Sequence, residues 1–167
     1  MESRAVVPSA VGEWVIEGDA HGIDRIYLAQ LPLHTNATPP APPVRSAARQ
    51  LREYFAGKRR EFDLDLHLVG TAFQQTVWTQ LTTIPFGLVC SYGDVALAID
   101  HPHAYRAVGN ANAKNPWAIV VPCHRVVASK SIGGYGGRLD VKRFLLRLEG
   151  VRDYDEVSAT GSPASLG

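Results

Sequence analysis

Apolar residues fall in three short runs near the N-terminus: Arg4–Val7, Gly12–Glu17 and Asp24–Ala29. They are rich in Val, Ile, Trp and Tyr and are parted by Gly and Asp turn residues, which predicts three strands. Leu31–Val44 carries Pro39-Pro40 and Pro42-Pro43 beside Asn and Thr and is expected to be an exposed loop. Ala47, Ala48, Leu51, Tyr54 and Phe55 then recur at helical spacing, with Gly57 as a stop, so the pattern predicts a helix over Arg45–Phe55. Phe62–Leu66 alternates with period two and is expected to close this half as a strand.

The pattern changes near Gly70. Thr71 and Gln74 match a capping box, and Phe73, Val77, Leu81 and Ile84 follow on one helical face until Pro85 and Gly87. Tyr92–Ile99 and Ala104–Ala113 are two short helices around a turn at Asp100–His103, a helix-turn-helix candidate that many αα-hairpins share. The apolar run Trp117–Val121 leads through Pro122 to Cys123-His124-Arg125. A Gly-rich loop, Ile132–Gly137, precedes a last helix over Val141–Glu149, with Asp140 as its expected cap and Gly150 beyond its end. The fold class expected is α/β in two parts. A small N-terminal sheet with one helix (1–69, including the Pro-rich loop 31–44) is expected to pack on a mainly helical, winged-helix-like domain (70–152). A flexible tail (153–167) is expected after it.

Composition narrows the class. The 167 residues are 46% hydrophobic and 20% charged, as in ordinary globular domains. No apolar run approaches a membrane span, and no basic-then-apolar leader is evident, so a cytoplasmic setting (nuclear in a eukaryote) is expected, with no membrane partner. Cys90 and Cys123 alone make neither a disulfide framework nor a Cys-rich zinc site. The net charge is only +1, so any case for nucleic acid must come from local features.

Cys123 is the first such feature. A lone Cys after an apolar run is ordinarily a packing residue. Here Pro122 biases Val121 to an extended conformation, which puts Cys123 where a strand breaks into a turn or helix start, a location that lowers a thiol pKa. His124 and Arg125 add a base and a cation. Neighbours on a regular strand point to opposite faces, so a Cys–His partnership needs a turn or a bridging water. The second feature is the helix Ala104–Ala113, where Ala104, Val108 and Ala111 can pack inward and Arg106, Gly109, Asn110 and Ala113 face outward. A helix that reads sequence needs several long polar side chains. Small residues with one Arg suit a protein that binds DNA whatever its sequence and extrudes a nucleotide.

Pro122-Cys123-His124-Arg125, with Arg106-Ala107-Val108-Gly109, Asn115-Pro116, Ser91-Tyr92, Gly134-Tyr135 and Leu148-Glu149-Gly150, resembles the O6-alkylguanine-DNA alkyltransferases across Gly70–Val151. The N-terminal half resembles them more loosely, through its strand pattern and Tyr54-Phe55-Ala56-Gly57. The resemblance implies that Cys123 accepts the alkyl group and that His124 deprotonates it through a water. It places Glu149 on the carboxylate orienting His124, and Asn115 on the asparagine bracing the surrounding turns. Tyr92 falls on the tyrosine that turns the nucleotide out and donates to guanine N3, and Arg106 on the arginine filling the vacated stack. Ala107, Gly109 and Asn110 lie with Arg106 on the DNA face. Tyr135 and Gly136 wall the guanine pocket with Lys142 beyond, and the Val126 carbonyl reads the guanine amino group. The implied partner is double-stranded DNA containing O6-alkylguanine, met by a monomer; no cofactor is expected, and no metal, since the N-terminal half has no Cys and His21, His34 and His67 are scattered. O4-alkylthymine and cooperative coating of DNA stay open. Gly136 stands where some members have Ser, Tyr105 is bulkier than the residue expected before the arginine, and Arg138 interrupts the glycines.

The chemistry accounts for these residue types. A soft thiolate suits a saturated carbon on an aryl-ether-like oxygen, and guanine leaves well only when protonated. The thioether product is not reversed, so each molecule is expected to react once. Two other classes compete: a non-catalytic lesion-binding or regulatory helix-turn-helix protein, and a Cys-His-Glu hydrolase. A hydrolase needs an oxyanion hole and ordinarily has its His far from the Cys in sequence.

Overall fold

The computed structural model describes residues 2–30 and 38–154. It has a mixed α/β fold that divides into two compact units, residues 1–69 with 116–120, and residues 70–115 with 121–167. Among the described residues no helix is long and apolar enough to cross a membrane.

In the first unit β1 (Ser3–Ser9), β2 (Gly12–Gly18) and β3 (Ile23–Leu28) form an antiparallel sheet in the order β1-β2-β3. The buried positions Val7, Trp14, Ile16, Ile23 and Ile26 share this unit with the apolar face of α1 (Pro42–Phe55), made by Val44, Ala47, Ala48, Leu51 and Tyr54. α1 starts three residues earlier than expected, within the Pro-rich segment. Pro42 and Pro43 occupy its first turn, where backbone N–H groups have no intrahelical acceptor, so prolines cost no hydrogen bond there. The rest of the expected loop at 31–37 lies outside the described residues.

β3 would be an exposed edge but for two short segments lying along it. Leu66 bridges Ile23, with Ile23 N donating to Asp65 O (2.8 Å) and His67 N to Ile23 O (2.9 Å). Trp117 bridges Ile26, which donates to Pro116 O (2.9 Å), and the Trp117 indole donates to Ile23 O (3.2 Å). The strand expected over Phe62–Leu66 is thus a single bridge. Asp63 is held instead by the side chain of Gln50 through two hydrogen bonds (2.9 and 3.0 Å). The apolar run at 117–121 is also no strand. It turns at Ala118–Val120, with Ile119 at φ 73°.

The second unit begins with α2 (Ala72–Leu81), closed by the reciprocal Thr71–Gln74 capping box. Cys90–Ser91 (β4) pairs in parallel with Val126–Val127 (β5). Ser91 then caps α3 (Tyr92–Ala98) through a second box with Asp94. α4 (Tyr105–Ala113) follows a turn in which Asp100 has φ 63°. It is tied to α2 by the buried hydrogen bond from the Trp78 indole to Ala111 O (2.8 Å). A 3-10 turn, Cys123–Arg125, leads into β5, and α5 (Leu139–Leu148) ends the unit. The cap of α5 differs from expectation. Its N-cap is Arg138, which makes no side-chain cap bond and pairs instead with Asp140 inside the first turn (3.0 Å). The expectation of a tail from Asp153 fails at Tyr154. Tyr154 is buried in a cluster with Val127, Ile132, Leu146 and Val151, against which Val89 and Leu139 pack. Residues 155–167 lie outside the described residues.

A test of the first unit concerns Gly18, at the bulge between Glu17 and Gly18 where β2 leaves its register with β3. A Cβ there would stand 2.3 Å from Gly22 O and 3.1 Å from Ile23 Cα, both backbone atoms that cannot swing away. Gly18→Ala is expected to cost about 1–3 kcal/mol through overpacking, read as a lowered Tm. An unchanged melt would show that the 18–23 turn yields freely.

Candidate active site

Cys123 opens the 3-10 turn and is almost fully buried. Its N–H donates to Val121 O (2.8 Å), and its carbonyl accepts from the amide of Asn112 on α4 (3.2 Å). The thiol is hydrogen-bonded to the side chains of Asn115 and Tyr135. Asn115 also donates to Val121 O (2.7 Å), so one amide spans the turn that carries the Cys. Burial pushes the thiol pKa up, against the lowering by Asn115, Lys142 and Tyr135. The expectation of a thiol acidified by a helix start is corrected here, because a three-residue turn supplies too little dipole to offset complete desolvation.

His124 is wholly buried. Its Nε2 lies 2.6 Å from Glu149 Oε2, and Nδ1 has no protein partner among the described residues. Burial holds the imidazole below its ordinary pKa despite Glu149. The ring is therefore neutral, with Nε2–H donating and the Nδ1 lone pair as its basic site. Glu149, just past the end of α5, is itself buried. Burial alone would raise its pKa, but His124 and Arg125 together hold it well below the usual carboxylate range. Arg125 grips the carboxylate from two sides, Nε to Oε1 (2.7 Å) and Nη2 to Oε2 (3.1 Å), and donates Nη1 to Ile84 O (2.7 Å).

The remaining side chains surround the thiol. The buried ammonium of Lys142 donates to Val126 O (2.7 Å) and Gly134 O (3.1 Å), and burial pulls its pKa down to about 8. Tyr92, the first residue of α3, is hydrogen-bonded to the Gly134 backbone, and burial raises its phenol pKa. Gly133 makes room for its ring, while Gly109 lies at ordinary contact distance. A Cβ at Gly109 would reach Tyr92 Cδ1 at 3.8 Å, and one at Gly133 (φ +78°) would sit 2.9 Å from Tyr92 Oη. Gly136 and Gly137 also have positive φ (+56° and +81°) and open space around them.

The sequence-predicted residues thus form two sets. Cys123, Asn115, Tyr135, Tyr92, Lys142, Gly134 and Val126 are linked by direct hydrogen bonds or close electrostatic contact, and His124 and Glu149 adjoin them through the same turn. Arg106, Ala107 and Asn110 are exposed on α4, while Gly109 is half-buried against Tyr92. The Arg106 guanidinium lies 5.9 Å from the ring centroid of the exposed Tyr105. Two residues of the site were missed. Asn112 carried a legible signal, a polar side chain four positions after Val108 on the packed face. Arg125 was read only as a cation beside the thiol, and nothing local announces a carboxylate partner 24 residues away. Among the described residues no group of three or more His, Cys, Asp or Glu is placed to hold a metal ion.

Cys123, His124 and Glu149 are all buried, in the same unit as the paired short helices α3 and α4. Residues 72–151 match the family model for the 6-O-methylguanine DNA methyltransferase DNA-binding domain. The chain is 45% identical over 147 residues to a methylated-DNA–protein-cysteine methyltransferase of Mycobacterium bovis, covering 86% of this chain and 89% of that one. It is similar in structure to the O6-methylguanine methyltransferase of Mycobacterium tuberculosis, with TM-score 0.80, 40% identity and 96% and 99% of the two chains covered. A Mycobacterium tuberculosis OGT solved in complex with DNA matches with TM-score 0.78, 44% identity and coverage of 88% and 92%. The chain belongs to the methylated-DNA–protein-cysteine methyltransferase family.

Glu149→Gln leaves the buried Arg125 without a counter-charge and is expected to cost about 3–5 kcal/mol at pH 7. Arg125→Met combined with Glu149→Gln is expected to cost less than the sum of the single changes. A carboxylate whose folded pKa is depressed contributes fully above its unfolded value and loses that contribution as pH falls toward the folded one. The stability gap between wild type and Glu149→Gln should therefore narrow below about pH 4.5. Denaturant melts at pH 7, 5 and 3 read this, and a constant gap would remove the ionised carboxylate from the account.

Proposed function

We propose that this chain repairs double-stranded DNA by moving an alkyl group from O6 of guanine onto Sγ of Cys123, once per molecule. The observation that carries the reading is a buried His124 whose Nε2 lies 2.6 Å from Glu149 Oε2 and whose Nδ1 has no partner among the described residues, next in the chain to a buried thiol. The relatives' names, methylated-DNA–protein-cysteine methyltransferase, fit that chemistry.

In this reading His124 Nδ1 takes the Cys123 proton through a water, and Glu149 stabilises the imidazolium that results. The thiolate attacks the alkyl carbon, an S–C bond forms, and the C–O6 bond breaks with its electron pair going to the guanine. Tyr92 donates a proton toward guanine N3, which makes the base a better leaving group. The Val126 carbonyl keeps a second lone pair beside its bond to Lys142, and that pair accepts from the guanine amino group. Lys142 adds positive charge near the thiolate. The thioether has no route back to a thiol, so turnover ends there. On α4 the small Ala107 and Gly109 let the helix come close to the groove beside Asn110, and Arg106 fills the space left by the extruded nucleotide.

Intact-mass spectrometry after mixing with an O6-methylguanine duplex is expected to show a permanent gain of one methyl, absent in Cys123→Ser. No adduct on wild type would favour a lesion-binding module, and steady ester turnover would favour a hydrolase.

Arg106→Ala is expected to slow duplex repair roughly ten- to a hundredfold more than reaction with free O6-benzylguanine, since the free base needs no unstacking. Equal losses on both substrates would place Arg106 in the pocket or the fold.

The adduct also has to fit a packed site. With the thiol enclosed by Asn115 and Tyr135, methylated protein is expected to lose about 1–3 kcal/mol of stability, and benzylated protein more. Thermal melts of the free and both reacted forms measure this. A raised Tm for both adducts would show the pocket takes them without strain.

A further inference from the structure

The net charge of +1 hides an uneven distribution. Residues 45–60 hold six of the seventeen Lys and Arg residues and one of the sixteen carboxylates, a net +5 against −4 for the rest of the chain. On α1 the cations are placed by the helix itself. Val44, Ala47, Ala48 and Leu51 face the core, and Arg45, Arg49 and Arg52 are exposed at i, i+4 and i+7 on another face. Lys58 and Arg60 are exposed in the turn that follows. The one carboxylate, Glu53, is shared by Arg49 (3.5 Å) and Arg59 (3.3 Å). Arg45 and Arg52 make no ion pair among the described residues.

The exposed face of α4 is poor in such charge. Arg106 is its single cation before Lys114 at the C-cap. Yet neutralised phosphates supply most of the sequence-independent affinity for DNA. We propose that the Arg45–Arg49–Arg52 face of α1, extended by Lys58 and Arg60, is a second contact surface for the phosphate backbone of duplex DNA. The three arginines span about 10 Å along the helix, a length over which one strand presents about three phosphates. Arginine is also the side chain suited to bidentate phosphate contact. The proposal rests on DNA being the partner, as in the function proposed above. It adds affinity that is independent of sequence and of the lesion, with no part in alkyl transfer.

Binding of wild type and of Arg45→Gln/Arg49→Gln/Arg52→Gln to undamaged duplex is measured across salt concentrations. Each lost phosphate contact flattens the slope of log K against log salt by about 0.9, so the triple variant should be flatter by about 2–3. The triple Arg→Lys variant should keep the wild-type slope. Alkyl transfer from free O6-benzylguanine to Cys123 should be the same in all three, which also shows that they are folded. If the triple Gln change impairs folding, Arg45→Gln/Arg52→Gln serves in its place, with a slope flatter by about 2. Running the titrations on about 12-bp and about 30-bp duplexes tells a flank of the same duplex from a second one. An effect confined to the longer duplex marks the flank, and an effect on both with two duplexes bound marks the second. An unchanged slope with normal transfer overturns this proposal alone, whereas absence of DNA binding in wild type overturns the proposed function with it. Binding to phosphatidylserine vesicles that is lost in the triple Gln variant, beside an unchanged DNA slope, would assign the face to anionic membranes instead.

Discussion

The site depends on keeping one carboxylate ionised where almost no water reaches it. Taking Glu149 out of solvent costs several kcal/mol unless donors surround it, and the 3-10 turn supplies His124 and Arg125, with Gly87 N–H also donating to Oε1 (3.5 Å). That demand fixes geometry. Arg125 reaches back to Ile84 O after α2, and Glu149 sits at the end of α5, so three distant stretches converge on the turn that presents Cys123. Gly150, at φ +87°, then lets the chain leave α5 without a steric penalty.

Burial and Arg125 together limit what Glu149 can do to its other partner. A carboxylate paired with imidazole alone would favour imidazolium. Burial is the larger influence holding the imidazole below its ordinary pKa, and the Arg125 charge adds to it against the pull of Glu149. On the proposed reading His124 must be unprotonated to accept a proton, and burial with the Arg125 charge favours that state.

How legible these parts were follows the range of the interactions that make them. Features decided within one turn of helix were readable: the Thr71–Gln74 box, the apolar face of α2, and the paired short helices α3 and α4. The family was readable because Pro122-Cys123-His124-Arg125 is contiguous. Features decided by distant partners were not. The alternation at Phe62–Leu66 signals extended chain but cannot say that Gln50 would hold Asp63 in place of a neighbouring strand. Nothing in Trp117–Val121 tells that Trp117 covers the edge of β3 some ninety residues earlier. Pro42 and Pro43 were misread because the same residue that breaks a helix interior is harmless in its first turn.

The depth at which Cys123 lies has a consequence for the protein's lifetime. A thiol whose pKa stands above its ordinary value of about 8.5 is less than a few per cent thiolate at neutral pH, and the thiolate is the form that oxidants and stray electrophiles consume. Exposure of the residue is only 6%, so such reagents meet both a closed door and an unreactive group behind it. For a nucleophile that on the proposed reading is used once and never regenerated, slow background loss matters as much as fast reaction with the right partner. On that reading, burial keeps the unspent population intact until a damaged base reaches the thiol.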